Sequence, residues 1–208
     1  MTAPQFLITN YFLELESSYN LEELQKKLYT KGVMTKDYKD ESLLLFYHKY
    51  NTPITNDLAR ECRSLVVDKE TLKIIAYSCE NPLENDEGMK YLLANSTNQQ
   101  VINTCYEGTF LSVFFHKDKW YVSTRRCLNS QESVFSNNVS HFEMFEDVLK
   151  KSDYESFSDF TKELDTSKSY YFVLIHHKNK ILIDYTSTFG QDYTKLCLTT
   201  IRDSEMRE

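Results

Sequence analysis

The sequence predicts an α+β domain in which largely antiparallel sheets carry helices inserted between pairs of strands. Three observations lead to this prediction. β-Prone apolar segments occur in pairs joined by short polar turns, amphipathic helical segments lie between the pairs, and no internal repeat or low-complexity linker marks a domain boundary. Residues 1–208 are therefore interpreted as a single domain, a length that suits one good-sized core.

The first predicted helix begins after Asn20, whose side chain can accept hydrogen bonds from the first turn. Leu21, Leu24 and Leu28 recur on one face of this helix, and Gly32 can end it. Three β-prone apolar segments are predicted strands, at residues 43–47, 64–68 and 73–77.

The second half of the chain alternates between predicted hairpins and helices. Two aromatic-rich segments flank four polar residues, which indicates a hairpin with strands at residues 110–115 and 120–124. The spacing of apolar residues in the following segments favours amphipathic helices. The predicted elements are, in order, helices at 141–151 and 155–164, a hairpin with strands at 170–175 and 181–185, and a strand at 196–201.

Charge and cysteine content limit the classes of partner and compartment. The net charge of −7 provides no overall basic field, so a nucleic-acid partner would require a local basic patch. The five cysteines are scattered singly, without the spacing of a zinc site, and predict reduced thiols in a cytosol-like compartment. The N-terminal segment does not resemble a signal peptide, and no apolar run is long enough to predict a membrane span.

The most informative motif is Cys-Tyr-Glu-Gly-Thr at residues 105–109. It matches Lys-x-(Asp/Glu)-Gly-(Ser/Thr), the motif whose lysine attacks the α-phosphate of ATP and carries AMP, except that cysteine replaces the lysine. Four further segments match in order, at residues 59–67, 120–126, 172–181 and 198–203. Together the five segments resemble the phage-type RNA ligases, a family of covalent nucleotidyltransferases.

This resemblance implies a nucleotidyltransferase fold with two antiparallel sheets around a groove. It also implies ATP and Mg²⁺ as cofactors of a functional site, and a nucleotide or RNA as ligand. Cys105 occupies the nucleophile position, and the resemblance implies no metal ligands in this chain. The residues that it places at the nucleotide are Arg63, facing phosphate, Glu107, flanking the site, Gly108, approaching the nucleotide closely, Arg125, as a basic contact, and Phe172.

Several departures from the family pattern argue against self-adenylation. The cysteine side chain has one carbon where lysine has four, so a thiol at residue 105 would end several ångströms short of the phosphate. Val173 stands where the family has a glutamate near the ribose, and Ser64 replaces the glycine that follows Arg63. The family's metal-binding Glu-Gly motif and Lys-x-Lys strand have no counterpart in these residues.

The sequence also predicts how the side chains of two pairs of adjacent residues are oriented. Arg125 and Arg126 adjoin a strand end, and alternation along a strand predicts that at most one of them faces any site. His176 and His177 lie between two predicted strands. They are interpreted as a polar hairpin tip rather than as metal ligands, because adjacent side chains of a strand diverge.

Three hypotheses on function remain open. The first is a ligase-like protein without self-adenylation that retains nucleotide or RNA-end binding or serves as a module for a protein partner. The second is an active ATP-dependent RNA ligase or nucleotidyltransferase whose remaining motifs lie elsewhere. The third is a non-enzymatic α+β interaction module. No feature indicates DNA specificity, and a cytoplasmic protein of a large DNA virus would fit the composition and the resemblance.

Overall fold

The computed structural model describes residues 5–13, 20–50, 53–54, 56–96, 103–134 and 138–208. Within these ranges the chain folds into two four-stranded antiparallel sheets with helices on their outer faces. The prediction of an α+β fold built on antiparallel sheets is confirmed.

The first sheet has the strand order β1-β2-β3-β4. The three predicted strands of this region are confirmed as β2, β3 and β4, and β1 was not predicted. β1 is an edge strand in which only Val33 is fully buried, so its sequence lacks the apolar run that marks its neighbours. The bounds are β1 Val33–Tyr38, β2 Leu43–His48, β3 Leu65–Asp68 and β4 Ile74–Tyr77.

The second sheet has the order β6-β5-β7-β8. The predicted hairpin at residues 110–124 is confirmed as β5 and β6. It turns through Lys117 and Asp118, both with positive φ (45° and 61°), as a two-residue hairpin turn requires. The bounds are β5 Thr109–His116, β6 Lys119–Thr124, β7 Ser169–His176 and β8 Thr194–Arg202.

The second predicted hairpin is wrong in its partner strand. β7 pairs with β8, so that His176 lies opposite Thr194, and residues 181–185 form no strand. The N–H groups of Leu182 and Ile183 donate instead to the carboxylate of Glu107, which removes them from strand pairing. His176 is therefore no hairpin tip.

His176 lies buried at the end of β7, 1% exposed, and its Nε2 is 3.0 Å from Asp147 Oδ2. Its Nδ1 accepts a hydrogen bond from the N–H of Lys178 at 3.1 Å, so both ring nitrogens have protein partners. The interpretation of His176 and His177 as a polar tip fails because the chain continues into the long β7–β8 connection, and the backbone N–H of His177 donates to Tyr193.

Local sequence signals determine the two longest predicted helices. Asn20 caps α2 by accepting hydrogen bonds from the N–H groups of Glu22 and Glu23, and Ser140 forms a capping box with Glu143 at the start of α5. The helix predicted at 155–164 is shorter, a four-residue α6 followed by a 3₁₀ turn, Thr161–Glu163. The α-helices are α1 Leu7–Leu13, α2 Leu21–Thr30, α3 Asp57–Glu61, α4 Asn85–Ala94, α5 His141–Lys150, α6 Phe157–Phe160 and α7 Thr186–Phe189.

The elements stack as helices, sheet, sheet and helices. The outer face of the first sheet packs against α1 and α2, and that of the second sheet packs against α5 and α6. None of the helices in the described ranges has the length and apolarity that a membrane-spanning helix requires. The inner faces of the two sheets meet in one cluster, formed by Leu43, Leu45, Val66, Ala76, Phe114, Tyr121 and Leu128.

Candidate anion-binding site

The seam between the two sheets has two chemically different ends. At one end His116 Nε2 lies 2.9 Å from Asp68 Oδ2, which joins the end of β5 to the end of β3. At the other end the guanidinium of Arg63 lies over the ring of Phe110, 5.1 Å from its centroid, which joins the starts of the same strands. We call this second region, formed by His48, Arg63, Arg125 and Arg126, the arginine end.

Three arginines lie close enough to His48 for their positive charges to act on its imidazole. The pKa of His48 is lowered, first by burial and then by the positive charges of Arg125, Arg126 and Arg63. The pKa of Arg125 is lowered in the same way, by burial and then by Arg63 and Arg126. The cluster is therefore a local basic patch in a chain of net charge −7.

Carboxylates do not neutralise this patch within the part of the chain that the structure describes. There the arginine–carboxylate pairs involve other arginines, namely Arg60, Arg202 and Arg207. Neighbouring arginines without carboxylate partners repel one another, so an anion that binds between them lowers the free energy of the arrangement. This concentration of positive charge makes the arginine end a candidate anion-binding site.

Arg63 is held by groups that leave its positive charge unbalanced. Its Nη1 lies 3.0 Å from the Sγ of Cys79, and its guanidinium lies on the ring of Phe110. Its buried Nε makes no hydrogen bond to any described residue. A sulfur atom and an aromatic face orient the guanidinium plane, and both contacts still permit a phosphate oxygen to approach the charge.

Arg125 and Arg126 both influence the electrostatics of the arginine end, and the expectation that at most one of them faces a site stays a prediction. β6 ends at Thr124, so strand alternation no longer governs the two side chains that follow it. Arg125 is exposed over part of its surface, so the burial that lowers its pKa is only partial. The guanidinium of Arg126 lies 4.3 Å from the ring centroid of Tyr50. The carbonyl oxygen of Arg126 accepts a hydrogen bond from Lys36 Nζ at 2.6 Å, which adds a fourth cation nearby.

The neutral form of His48 matches its contacts. Nδ2 of Asn81 lies 3.4 Å from Nδ1 of His48, and an amide N–H can only donate, so Nδ1 must be unprotonated in this contact. An anion bound to the three arginines would offset their charges at the imidazole. It would therefore raise the pKa of His48.

We expect sulfate to bind more tightly as the pH falls from about 8 to about 5, because binding then favours protonation of His48. Sulfate keeps its charge over this range, which isolates the response of the protein. The ring resonances of His48 followed by NMR with and without sulfate measure the change in pKa. In the His48→Gln variant the pH dependence of binding should largely disappear, and its persistence would assign the effect to other groups.

The stability of the protein should respond to pH in the sense that the same lowered pKa dictates. Folding favours neutral His48. The contribution of His48 to the free energy of unfolding is therefore complete above about pH 6.5 and is lost as the pH falls towards its lowered pKa in the folded protein.

The motif at residues 105–109 has a largely structural environment. Cys105 is exposed, and no contact with a cation or a general base is found for its thiol among the described residues. The carboxylate of Glu107 accepts hydrogen bonds from the N–H groups of Leu182 and Ile183, at 3.0 and 2.8 Å. The N–H of Glu107 donates to the hydroxyl of Tyr185 at 2.7 Å. Glu107 therefore anchors the β7–β8 connection.

Gly108 is placed where no larger residue fits. A Cβ atom at this position would lie 2.5 Å from the carbonyl oxygen of Leu174 and 2.7 Å from Cγ1 of Val173. Close approach of β7 therefore explains the glycine, independently of any nucleotide. The next residue, Thr109, accepts a hydrogen bond from Asn179 Nδ2 at 2.8 Å, which joins two of the motif segments.

Phe172 is not brought to the arginine end. It is 6% exposed and packs in the core beneath α5 and α6, with its ring centroid 6.3 Å from that of Phe160. Its neighbour Tyr171 lies on the opposite face of β7, where its ring stacks on Phe110 at 6.1 Å. Burial raises the pKa of Tyr171 to about 12, and its hydroxyl accepts a hydrogen bond from the N–H of Tyr77.

The structure thus leaves Arg63 and Arg125 within electrostatic range of each other and Phe172 in the core. His48 and Phe110 lie beside these arginines and were not indicated by the sequence. The signals in the sequence were the resemblance that indicated Arg63 and Arg125 and the Arg125-Arg126 step after a strand. Within the described residues, no group of three or more His, Cys, Asp or Glu side chains is arranged to hold a metal ion.

Comparison with known proteins identifies a viral relative. The chain is similar to the immediate-early protein ICP-46 homolog of Invertebrate iridescent virus 3, with 30% identity over 148 residues. The match covers 67% of this chain and 33% of that protein, so the chain spans about a third of the length of the relative. No protein-family model matches the sequence. A viral protein is similar to this chain, and its printed name states no ligand or reaction.

Proposed function

We propose that this chain binds a phosphate-bearing ligand, a nucleotide or the phosphorylated end of an RNA, at the arginine end. We also propose that it does not attach a nucleotide to itself. The observation that carries the first part is that Arg63, held over the ring of Phe110, lies with Arg125 and Arg126 within electrostatic range of His48. None of the three arginines has a carboxylate partner among the described residues.

The chemistry of the cluster favours a phosphate over a carboxylate. Guanidinium groups bind phosphate through two parallel hydrogen bonds, and several arginines can share the charge of a single polyphosphate. Three mutually repelling cations are stabilised more by a multiply charged anion than by a single carboxylate. The patch is local and the rest of the chain is acidic, so we expect a phosphate at a defined position rather than general adhesion to nucleic acid.

Two arrangements support kinship with the RNA ligases. The motif at 105–109 leads directly into β5, and the segment at 59–67 leads into β3, so that Arg63 and Phe110 meet at one end of the two sheets. The segment at 120–126 delivers Arg125 to the same end. A nucleotidyltransferase-like domain is the interpretation that best unites this order of motifs with two antiparallel sheets.

The absence of self-adenylation follows from Cys105. A nucleophile for nucleotidyl transfer must be aimed at the α-phosphate and activated by a neighbouring group. A reactive thiolate requires a nearby cation or helix N-terminus, and Cys105 shows neither contact within the described ranges. All five cysteines are unpaired, which supports a reducing compartment such as the cytoplasm as the place of action.

Incubation with labelled ATP and Mg²⁺ tests the second part of the proposal. We expect no acid-stable protein adduct, whereas a phage-type RNA ligase treated in parallel as a positive control should form one. An adduct on any lysine of this chain would contradict the proposal. Calorimetric titration with pyrophosphate tests the first part, and we expect binding that weakens as the salt concentration rises.

A further inference from the structure

A cavity of about 220 Å³ lies on the border of the second sheet, away from the arginine end. It is enclosed by the edge strand β6, by the segment that follows it, and by the first turns of α5 and α6. Its walls include the aromatic side chains of Trp120, Phe142 and Phe157, and its rim carries Asn129, Gln131 and Glu41.

The walls of this cavity present flat apolar surfaces at defined angles. The rings of Phe142 and Phe157 meet edge to face, with centroids 5.6 Å apart and an interplanar angle of 82°. Trp120 is held edge to face by Phe115 at 5.4 Å. Such a corner of aromatic faces suits a flat ring, which can stack on one face and meet the edge of another.

The rim adds polar groups that can recognise the edge of such a ring. Both ends of the Asn129 amide are already used, since Nδ2 donates to Glu132 and Oδ1 accepts from the N–H of Gln131. The side chain of Gln131 is exposed and makes no hydrogen bond to a described residue. A carboxamide offers one donor face and one acceptor, the combination that pairs with the edge of a nucleobase.

The size and the position of the cavity limit the ligand. Its volume is below the roughly 300–1,000 Å³ of sites that enclose whole small molecules, so it suits one ring system of a larger ligand. Arg125 directly follows β6 and lies five residues after Trp120, a backbone span of up to about 17 Å at the rise of an extended strand. A single strand of nucleic acid can bridge that distance with its base in the cavity and its phosphate on the arginines.

We propose that the cavity beside Trp120 accepts one base of a single-stranded RNA whose terminal phosphate lies at the arginine end. This inference rests on the proposed function and extends it, because it assigns a second contact and a ligand several nucleotides long. It makes Trp120 the stacking residue and Gln131 the residue that contacts the base edge.

Trp120 is the only tryptophan of the chain, so its fluorescence reports on this cavity directly. We would titrate the protein with a 5′-phosphorylated single-stranded RNA of about eight nucleotides. A matched strand of abasic residues and inorganic pyrophosphate serve as comparisons. We expect the RNA to quench the fluorescence, the abasic strand to bind about tenfold more weakly with little quenching, and pyrophosphate to bind without quenching.

Variants separate the two contacts. Gln131→Ala should weaken RNA binding about three- to tenfold and leave pyrophosphate binding unchanged, while Arg125→Gln should weaken both. Gln191→Ala, which alters an exposed glutamine in the β7–β8 connection, should change neither.

Each contrary result has a distinct meaning. If RNA and the abasic strand bind equally and neither quenches Trp120, the base site is overturned while phosphate binding at the arginines stands. If pyrophosphate does not bind at all, the proposed function fails, and with it the ligand inferred here. Quenching by an apolar peptide but not by RNA would assign the cavity to a protein partner and overturn the inference.

Discussion

Replacement of Gly108 by alanine should lower the free energy of unfolding by about 1–3 kcal/mol. The added Cβ would lie 2.5 Å from the carbonyl oxygen of Leu174 and 2.7 Å from Cγ1 of Val173. The first of these atoms belongs to the backbone of β7, a central strand paired on both sides, so it cannot move aside without disturbing two ladders. Urea unfolding followed by circular dichroism measures the effect.

Cys105→Ala is the matched control for this substitution. Cys105 is exposed and lies three residues before Gly108, so its replacement should leave the free energy of unfolding within about 0.5 kcal/mol of the original. If Gly108→Ala were equally neutral, the close approach of β7 would not be the reason for glycine at this position. A nucleotide contact would then remain as its explanation.

Neutralising the arginine end should have the largest effect on binding. We expect Arg63→Gln and Arg125→Gln each to lower the affinity for pyrophosphate about ten- to hundredfold, since each removes a charge-assisted hydrogen-bond donor pair. Arg126→Gln should act in the same direction. Each substitution should also reduce the slope of log affinity against log salt concentration by up to about one. Calorimetry at several salt concentrations measures both quantities.

Arg207→Gln provides the control for loss of one positive charge. Arg207 is paired with Asp203 at 2.7 Å and with Glu205 at 3.2 Å, so its charge is already balanced and its replacement should not affect pyrophosphate binding. Equal losses for Arg207→Gln and Arg125→Gln would show that only overall charge matters. That result would contradict a defined site.

The fold was predictable where a local pattern determines an element. Asn20 and Ser140 mark helix starts by their capping groups, and the β5–β6 hairpin follows from two apolar segments around a short polar turn. Strand β1 was missed because an edge strand needs little apolar surface. The strand predicted at 181–185 was wrong because Glu107, distant in sequence, takes its N–H groups.

The candidate site was predictable only in part, because it depends on how the two sheets face each other. The resemblance to RNA ligases indicated Arg63 and Arg125, and in the structure these two arginines lie within electrostatic range of each other. Arg126 accompanies Arg125 because it is the next residue in the chain. His48 joins them through the packing of the two sheets, which no local pattern encodes. Phe172 is turned into the core because side chains alternate along β7, which leaves Tyr171 on the inner face.

The central claim is that an anion binds at the arginine end. An NMR titration with pyrophosphate, following the side-chain Nε–Hε resonances of the arginines and the ring of His48, tests it most directly. We predict that Arg63, Arg125, Arg126 and His48 shift together with one dissociation constant, while the paired Arg207 does not move. Unchanged resonances at Arg63 and Arg125, or equal shifts at Arg207, would contradict the claim.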